Sequence, residues 1–206
     1  MALILYRARF STNVERVALA LAVKGLSVES VWIEYSDRSA VELASGQPFV
    51  PVLEYDGQIV TESMDIVRLL DMRHPEPALY PADPARRAEL DVFVDWFNRV
   101  WKGPPNRIEA ELSKPSPDQA EIEALARRMT DSLDLFDRLL YGRDHLLGDE
   151  LSAADLCAFP FLKFATLHDP EDNELFHLIL RDRQRDGRDR ARLGAWIDRM
   201  NALPRA

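Results

Sequence analysis

Short apolar runs alternate with helically spaced apolar positions over the first quarter of the chain. Residues 2–6 form a continuous apolar run, which is typical of a strand buried on both faces of a sheet. Apolar residues then recur every three or four positions, at Val14, Val17, Ala18 and Leu21. Gly25 is suited to end that helix, and residues 28–35 return to the β-branched and aromatic composition of a strand. The pattern predicts a βαβ unit whose two strands lie parallel.

The next stretch predicts a hairpin followed by a helix. Val50-Pro51 opens the hairpin, and Asp56-Gly57 is a favoured two-residue turn. The predicted pieces are the strand 52–55, the strand 58–61 and the helix 63–73. With a short helix over residues 39–45, the element order becomes βαβαββα, and we expect a mixed sheet.

Proline is concentrated in residues 74–85, with four prolines in twelve positions. Because proline disrupts both helix interiors and strand ladders, we predict a linker over residues 76–85. The linker separates a first domain, residues 1–75, from a second, residues 86–206. Two long helices are predicted beyond it, one marked by Leu90, Val94, Phe97 and Trp101 and the other by Ile122, Leu125, Met129, Leu133, Phe136 and Leu140. The second domain is therefore expected to be all-helical.

Local signals in the second domain mark helix starts and one exposed segment. Ser116 followed by Pro117 and Gln119 predicts a helix with Ser116 as its N-cap. Ser152 and Asp155 predict a capping box, which has a folding role. The stretch 169–192 is unusually charged and predicts a solvated loop or exposed helix.

Composition excludes several classes of function. The 206 residues include 35 acidic and 26 basic ones, so the net charge of -9 would repel a phosphate backbone, and no nucleic-acid partner is expected. The opening apolar run is too short for a signal peptide or a membrane span, so we expect a cytoplasmic protein without a membrane partner. Cys157 is the single cysteine, lies in an apolar run and is expected to be buried and inert. The four histidines lack metal-ligand spacing, and no metal is expected.

Two positions near the hairpin suit a ligand that is itself a short peptide. Proline cannot donate to a ladder, so Pro51 belongs at the first residue of a strand, where the Val50 backbone is free to pair with an extended peptide. Ser63 stands at a helix start, where free N–H groups and the helix dipole favour a bound carboxylate. Each has a plainer interpretation, with Ser63 or Thr61 as a helix cap and Pro51 as the opening of an edge strand. The sequence leaves the cis or trans state of the Val50-Pro51 bond open.

Four segments taken together resemble the soluble glutathione transferase superfamily. They are LILY followed by Ser11-Thr12-Asn13, the hairpin FVPVLEYDG, the pair Glu62-Ser63 and the capping box in residues 151–156. The resemblance spans nearly the whole chain and implies an α/β thioredoxin-like N-terminal domain followed by an all-α C-terminal domain. It also implies glutathione as a co-substrate, no permanently bound cofactor, a small electrophilic substrate, a role in detoxification and a homodimer. It does not assign a class within the superfamily.

The resemblance also implies the residues of a glutathione site. In such families a Ser, Tyr or Cys near the start of the first helix faces the glutathione sulfur, and Ser11 is the matching position. A serine there can donate a hydrogen bond to the thiolate, although helix capping is a plainer role for it. No cysteine lies near Ser11, which disfavours thiol-disulfide exchange. Further contacts to glutathione are expected from Asn13, Phe49, Val50, Pro51, Glu62 and Ser63.

One residue departs from the family pattern. Phe49 occupies a position where the family often has Lys, Gln or Arg against the glycine carboxylate of glutathione, so affinity for glutathione is expected to be reduced. Arg7, Arg9 or Lys102 could replace that charge.

The acceptor site in such families lies between the two domains. The candidates here are Phe10 and Trp101, whereas Phe97 is expected to be core. The expected reaction is conjugation of glutathione to a largely apolar electrophile, or thiol-assisted isomerisation, ether cleavage or peroxide reduction. Two alternatives stay open: a non-catalytic interaction or regulatory protein with this fold, and an enzyme that uses another low-molecular-weight thiol.

Overall fold

The computed structural model describes residues 2–185 and 189–206. The chain divides into two compact units. The first consists of Met1–Tyr80 together with Leu203–Ala206, and the second is Pro81–Ala202. The boundary between the units, after Tyr80, falls within the predicted linker over residues 76–85. The first unit also includes residues 203–206, which the prediction had assigned to the second domain.

The first unit is an α/β unit with the element order βαβαββα, as predicted. Its elements are β1 (Leu3–Arg7), α1 (Thr12–Val23), β2 (Glu29–Trp32), α2 (Ser39–Ser45), β3 (Val52–Tyr55), β4 (Gln58–Val60) and α3 (Ser63–Arg73). The strands form one mixed sheet in the order β2-β1-β3-β4. β1 pairs in parallel with β2 and antiparallel with β3, and β4 pairs antiparallel with β3.

The second strand is shorter than predicted. The sequence pattern predicted residues 28–35, but β2 spans only Glu29–Trp32. Among the described residues, β2 lies at the edge of the sheet and pairs only with β1, and the last residue of β1, Arg7, is the partner of Trp32. The strand ends there because the neighbouring strand ends, although the aromatic and β-branched composition continues.

Helix packing and a buried ion pair hold the helices of the first unit together. α1 packs against α3, and the Lys24 Nζ lies 2.6 Å from a carboxylate oxygen of Asp71. The same Asp71 oxygen accepts the Leu79 N–H at 2.7 Å, while the Lys24 Nζ also donates to the Pro77 carbonyl. The paired charges therefore fix the segment that follows α3 against the rest of the unit.

The last residues of the chain pack onto the first unit. The Ala206 N–H donates to the Ala18 carbonyl of α1 at 3.1 Å, and the Arg7 guanidinium donates to the Ala206 carbonyl at 2.7 Å. Arg205 pairs with Glu15 at 2.8 Å. No local sequence pattern predicts this docking, because it depends on contacts between residues almost a whole chain length apart.

The second unit is helical over its described residues. Its α-helices are α4 (Pro84–Trp96), α5 (Gly103–Leu112), α6 (Gln119–Leu139), α7 (Ala153–Leu162), α8 (Leu175–Arg183) and α9 (Ala191–Asn201), with a π-helical turn at Phe97–Trp101 and a 3-10 turn at Lys163–Ala165. Every residue of α7 is buried, Cys157 included, so this helix forms the centre of the unit. The buried stripe predicted along α6 is confirmed at Ile122, Leu125, Met129, Leu133 and Phe136.

The capping box of α7 is confirmed and extends further than predicted. The Asp155 carboxylate accepts the N–H and the hydroxyl of Ser152, both at 3.0 Å. Its other oxygen accepts the Leu146 N–H and the Trp196 indole N–H, each at 2.9 Å. One fully buried carboxylate therefore ties the start of α7 to α9 and to the loop that precedes α7.

Three sequence-based details of this unit were wrong. α6 has Asp118 as its N-cap in place of Ser116, because the Asp118 carboxylate accepts the Glu121 N–H at 3.1 Å. The long helix ending at Trp101 is α-helical only to Trp96. The charged stretch 169–192 is partly core, since α8 buries its apolar face, and residues 186–188 of that stretch lie outside the described residues.

Candidate functional site

The topology of the first unit brings three loops to one end of its sheet. Tyr6, near the end of β1, pairs with Val52 at the start of β3, and Val60 at the end of β4 pairs with Leu53. The segment containing Ser11 follows β1, Val50-Pro51 precedes β3, and Glu62-Ser63 follows β4. The antiparallel pairing therefore places the predicted thiol-binding segments at a common edge.

Ser11 is the N-cap of α1. Its Oγ accepts the Val14 N–H at 3.3 Å, which is the capping role that the sequence left open. The residue is partly buried, and within the described part of the chain its hydroxyl proton is donated to no acceptor. The hydroxyl can thus cap the helix as an acceptor and donate its proton to a ligand at the same time.

Phe10 has a backbone conformation that is unusual for its residue type. Its φ is +65°, in the left-handed region where glycine is usual and where other residues incur a cost of about 1–2 kcal/mol. It lies in a turn closed by a Ser11 N–H to Ala8 carbonyl contact of 3.5 Å, and its ring lies against the Arg9 guanidinium. Strained backbone of this kind clusters at ligand sites. The role of Phe10 toward an acceptor stays a prediction.

The backbone of Val50 lies one step beyond the end of the sheet. The Val50-Pro51 bond is cis, which the sequence had left open. The Asp56 N–H donates to the Ala2 carbonyl at 3.0 Å, so Ala2 and Asp56 form a hydrogen-bonded pair. In an antiparallel ladder every second pair is hydrogen-bonded, and the last such pair of β1 and β3 is Tyr6 with Val52. The next such position would involve Val50, and none of the hydrogen bonds within residues 2–185 and 189–206 uses its amide or carbonyl.

Phe49 carries an exposed ring and a backbone that is already occupied. The side chain is 68% exposed. The Phe49 N–H donates to Gln47 Oε1 at 2.7 Å, and its carbonyl accepts from Gln47 Nε2 at 2.9 Å. Phe49 can therefore offer a ligand only its ring. Arg7, suggested as a replacement charge, is held by the Ala206 carbonyl and stacks over the Trp32 ring at 4.7 Å.

Glu62 and Ser63 lie at the N-terminus of α3. Glu62 is the N-cap residue and is exposed, but its side chain makes no capping hydrogen bond. Ser63 is buried as the first helical residue, so it is not the cap. The first N–H bonded to the helix is that of Ile66, which donates to the Glu62 carbonyl at 2.9 Å. The preceding N–H groups therefore point out of the helix end, where an anion can bind.

Arg16 is a site residue that the sequence interpretation missed. It is 1% exposed, and its Nη1 lies 3.2 Å from both Asn13 Oδ1 and Ser63 Oγ. One guanidinium thereby joins two predicted glutathione contacts, one on α1 and one on α3. The available signal was an arginine in the run VERVALALA, which is apolar apart from Glu15 and Arg16, because a buried cation there needs polar partners.

Trp101 and its neighbours form an aromatic cluster in the second unit. Trp101 is 4% exposed, stacks on Phe97 with centroids 4.4 Å apart, and donates its indole N–H to Ser132 Oγ at 2.9 Å. Phe97 is fully buried, as expected of a core residue. In the structure Trp101 is a packed and hydrogen-bonded side chain, and its role toward an acceptor stays a prediction.

Two features are absent from the described residues. In residues 2–185 and 189–206, no three or more His, Cys, Asp or Glu side chains are grouped so that they could hold a metal ion. No helix within those residues is both long enough and apolar enough to cross a membrane.

Family models match both parts of the chain. Residues 5–78 match the family model described as the glutathione S-transferase N-terminal domain, and residues 101–204 match that of the C-terminal domain. Glutathione S-transferase GstB of Escherichia coli K12 is 30% identical over 161 residues, covering 74% of this chain and 77% of GstB. Maleylacetoacetate isomerase of Mus musculus is 27% identical over 153 residues, covering 70% of this chain and 69% of the isomerase.

A solved structure shows the same fold over the full length. Protein LigF of Sphingobium sp. is 27% identical, covering 99% of this chain and 91% of LigF. The crystal structure of LigF, described as a beta-etherase, matches with a TM-score of 0.76 over 99% of this chain and 96% of that one, at 23% identity in the structural alignment. Two family models and relatives at this level of identity establish that the chain belongs to the glutathione S-transferase family.

Proposed function

We propose that this protein is an enzyme that binds glutathione, stabilises its thiolate and directs it at a small, largely apolar electrophile. The observation that carries the proposal is the Ser11 hydroxyl, which caps α1 as an acceptor and keeps its proton available. Membership in the glutathione S-transferase family supports the choice of glutathione as co-substrate. No permanently bound cofactor is part of the proposal.

The tripeptide matches the polar groups at the sheet edge. The unused amide and carbonyl of Val50 can pair with the backbone around the cysteine of glutathione, as an added strand would. The γ-glutamyl end carries a carboxylate and an ammonium. The free N–H groups of α3, the Ser63 hydroxyl and the buried Arg16 charge favour the carboxylate, while the exposed Glu62 carboxylate can accept from the ammonium.

The energy needed to activate the thiol is within reach of Ser11. A free thiol has a pKa near 8.5, and lowering it by about two units requires roughly 2.7 kcal/mol of preferential stabilisation of the anion. A hydrogen bond to a charged group contributes about 1.5–3 kcal/mol, and a helix N-terminus adds up to about 1 kcal/mol. Ser11 supplies both because it donates from the start of α1.

Conjugation is the broadest reaction consistent with this site. The thiolate attacks an electrophilic carbon, a C–S bond forms, and a leaving group departs with the electron pair. The names of two relatives, an isomerase and a beta-etherase, support thiol-assisted isomerisation or ether cleavage as variants of the same chemistry. Peroxide reduction is a further variant. Phe10 and Trp101 remain the proposed contacts to the acceptor.

Calorimetric titration with glutathione, followed by turnover of an aryl chloride, tests the proposal. Binding together with release of chloride is expected. A protein that binds no thiol and releases no chloride would instead fit the non-catalytic interaction protein considered above.

The exposed Phe49 favours one specific alternative, an enzyme that uses a thiol other than glutathione. Because Phe49 offers no charge to the glycine carboxylate, γ-glutamylcysteine, which lacks the glycine, should bind within a few-fold of glutathione. Cysteine lacks the γ-glutamyl group and serves as the control, for which much weaker binding is expected. Clearly tighter binding of glutathione than of γ-glutamylcysteine would rule the alternative out and reveal a further contact to the glycine carboxylate.

A homodimer, a cytoplasmic location and a role in detoxification belong to the same proposal. Family membership supports these three points, and no contact within the described residues bears on them. Sedimentation at micromolar concentration should give about twice the 23.6 kDa chain mass. A monomer under those conditions would contradict the proposed dimer without affecting the chemistry at Ser11.

A further inference from the structure

We propose that Arg205 is a positioning residue for the thiol chemistry, because it offsets the negative charge of Glu15 beside the start of α1. The inference rests on the proposed function, in which the glutathione thiolate lies at the Ser11 hydroxyl. Arg205 is 190 positions from Glu15 in the chain and acts through that carboxylate. The role assigned to Arg205 is electrostatic and requires no contact with the ligand.

Hydrogen bonds hold the last residues of the chain against α1. The Ala206 N–H donates to the Ala18 carbonyl at 3.1 Å, and the Ala206 carbonyl accepts from the Arg7 guanidinium at 2.7 Å. Ala18 lies three residues after Glu15, so the two are neighbours on the surface of α1. The anchored tail therefore carries Arg205 alongside Glu15.

Arg205 and Glu15 form a close, partly buried ion pair. The Arg205 Nη2 lies 2.8 Å from Glu15 Oε1, and the Arg205 Nε lies 3.3 Å from the same oxygen. The side chains are only 25% and 15% exposed, respectively. Water and salt screen partly buried charges less than charges on an open surface. Removal of one partner would thus leave a poorly screened charge at this position.

Glu15 lies in the first turn of the helix that Ser11 caps. The Glu15 N–H donates to the Ser11 carbonyl at 3.0 Å. Helical side chains tilt toward the N-terminus, so the Glu15 carboxylate lies over the turn that begins at Ser11. Arg16, the adjacent cation on α1, is directed at Asn13 and Ser63. Without Arg205, the like charge of Glu15 would therefore oppose the thiolate and raise the thiol pKa.

The distance between the two anions sets the size of this effect. Four helical residues rise about 6 Å, and a bound sulfur lies about 3 Å beyond the Ser11 hydroxyl, so the Glu15 carboxylate is on the order of 10 Å from the sulfur. A unit charge at that distance changes a pKa by about 0.3–1.2 units if the effective dielectric constant is between about 20 and 80. A shift of this size is measurable.

A cycle of charge-removing variants tests the proposal, with the thiol of bound glutathione titrated through its ultraviolet absorbance. Arg205→Gln leaves Glu15 uncompensated and should raise the thiol pKa by about 0.3–1.2 units. Glu15→Gln leaves Arg205 uncompensated and should lower the thiol pKa by a similar amount. The double variant should return close to the wild-type value. Both single variants lose the same ion pair, so a purely structural role would move the thiol pKa in the same direction in both.

Two further variants serve as controls. Arg205→Lys keeps the charge and should keep the wild-type thiol pKa. Arg73→Gln removes a cation from the last turn of α3, at the opposite end of that helix from Ser63, and should leave the thiol pKa unchanged.

The outcomes separate this inference from the proposed function. If the wild type binds glutathione as a thiolate, shifts of the same sign in Arg205→Gln and Glu15→Gln, or no shift in either, would overturn the inference and leave the proposed function standing. A wild-type protein that binds no glutathione would overturn both.

Discussion

Ser11 is expected to have two separable roles, as the cap of α1 and as the hydrogen-bond donor to the glutathione sulfur. Ser11→Ala removes both, because it deletes the acceptor of the Val14 N–H and the proton donor together. Ser11→Asp removes only the donor, since an ionised aspartate is as good an N-cap as serine but cannot donate. The two variants should therefore differ in stability, but both should raise the thiol pKa of bound glutathione.

The size of each effect follows from the geometry. Loss of the cap in Ser11→Ala should reduce the free energy of unfolding by about 1 kcal/mol, while Ser11→Asp should retain it. Loss of a hydrogen bond to the thiolate, worth about 1.5–3 kcal/mol, should raise the thiol pKa of bound glutathione by about 1–2 units. From a wild-type thiol pKa about two units below 8.5, the thiolate fraction at pH 7, and with it kcat/KM, should then fall by about 3- to 25-fold. In Ser11→Asp the added negative charge should raise the thiol pKa further.

Ultraviolet absorbance of the bound thiolate across a pH series measures the thiol pKa, and aryl chloride turnover at the same pH values measures the rate. Both variants should recover much of the wild-type rate once the pH exceeds their raised thiol pKa. Ser11→Thr, which keeps acceptor and donor, is the control. If Ser11→Asp is stable and retains the wild-type thiol pKa and turnover, Ser11 is only a helix cap and the proposed chemistry is refuted.

Three further predictions concern stability. Lys24→Met leaves the buried Asp71 carboxylate without its cation and should lower the free energy of unfolding by about 3–5 kcal/mol in urea titrations, and a loss under 1 kcal/mol would contradict a structural ion pair. Asp155→Ala deprives four buried donors of their acceptor and should cost about 4 kcal/mol or more, again by urea titration. Burial, reinforced by Glu174 and opposed by His177, raises the pKa of Glu109 above its ordinary 4.5, so the charged form is disfavoured on folding. The favourable contribution of Glu109 to stability is complete below pH 4.5 and is lost as the pH rises through its raised pKa. Glu109→Gln should therefore raise the melting temperature at pH 7, and the increase should shrink toward pH 4.5. A melting temperature that is unchanged at both pH values would show that the carboxyl is solvated.

The sequence predicted those parts of the fold that depend on local patterns. The turn Asp56-Gly57, the helical stripe of α6 and the capping box at Ser152 are each determined within a few residues, and each is confirmed. The strand predicted over residues 28–35 was too long because a strand ends where its neighbour ends, which composition does not encode. Asp118 displaced Ser116 as a cap because both residue types cap well and tertiary contacts decide between them.

The sequence could predict only those site residues that directly follow or precede a strand. Ser11, Val50 and Ser63 each follow or precede a strand, and topology brings such positions to one edge of a sheet. Arg16 was missed because its importance comes from Ser63, 47 positions away, and helical spacing alone gives no reason to expect that contact.

The tail of the chain has a consequence for how the protein forms during synthesis. The contact between Arg7 and Ala206 spans 199 positions, so the unit that carries Ser11 and β1 gains this contact only after Ala206 has left the ribosome. Contacts between distant positions form late because a long loop must close first. A nascent chain would therefore lack the contacts of Ala206 with the Ala18 carbonyl and of Arg205 with Glu15 until residues 203–206 have been made. The first unit would then reach its full rigidity only after the helical unit has been made.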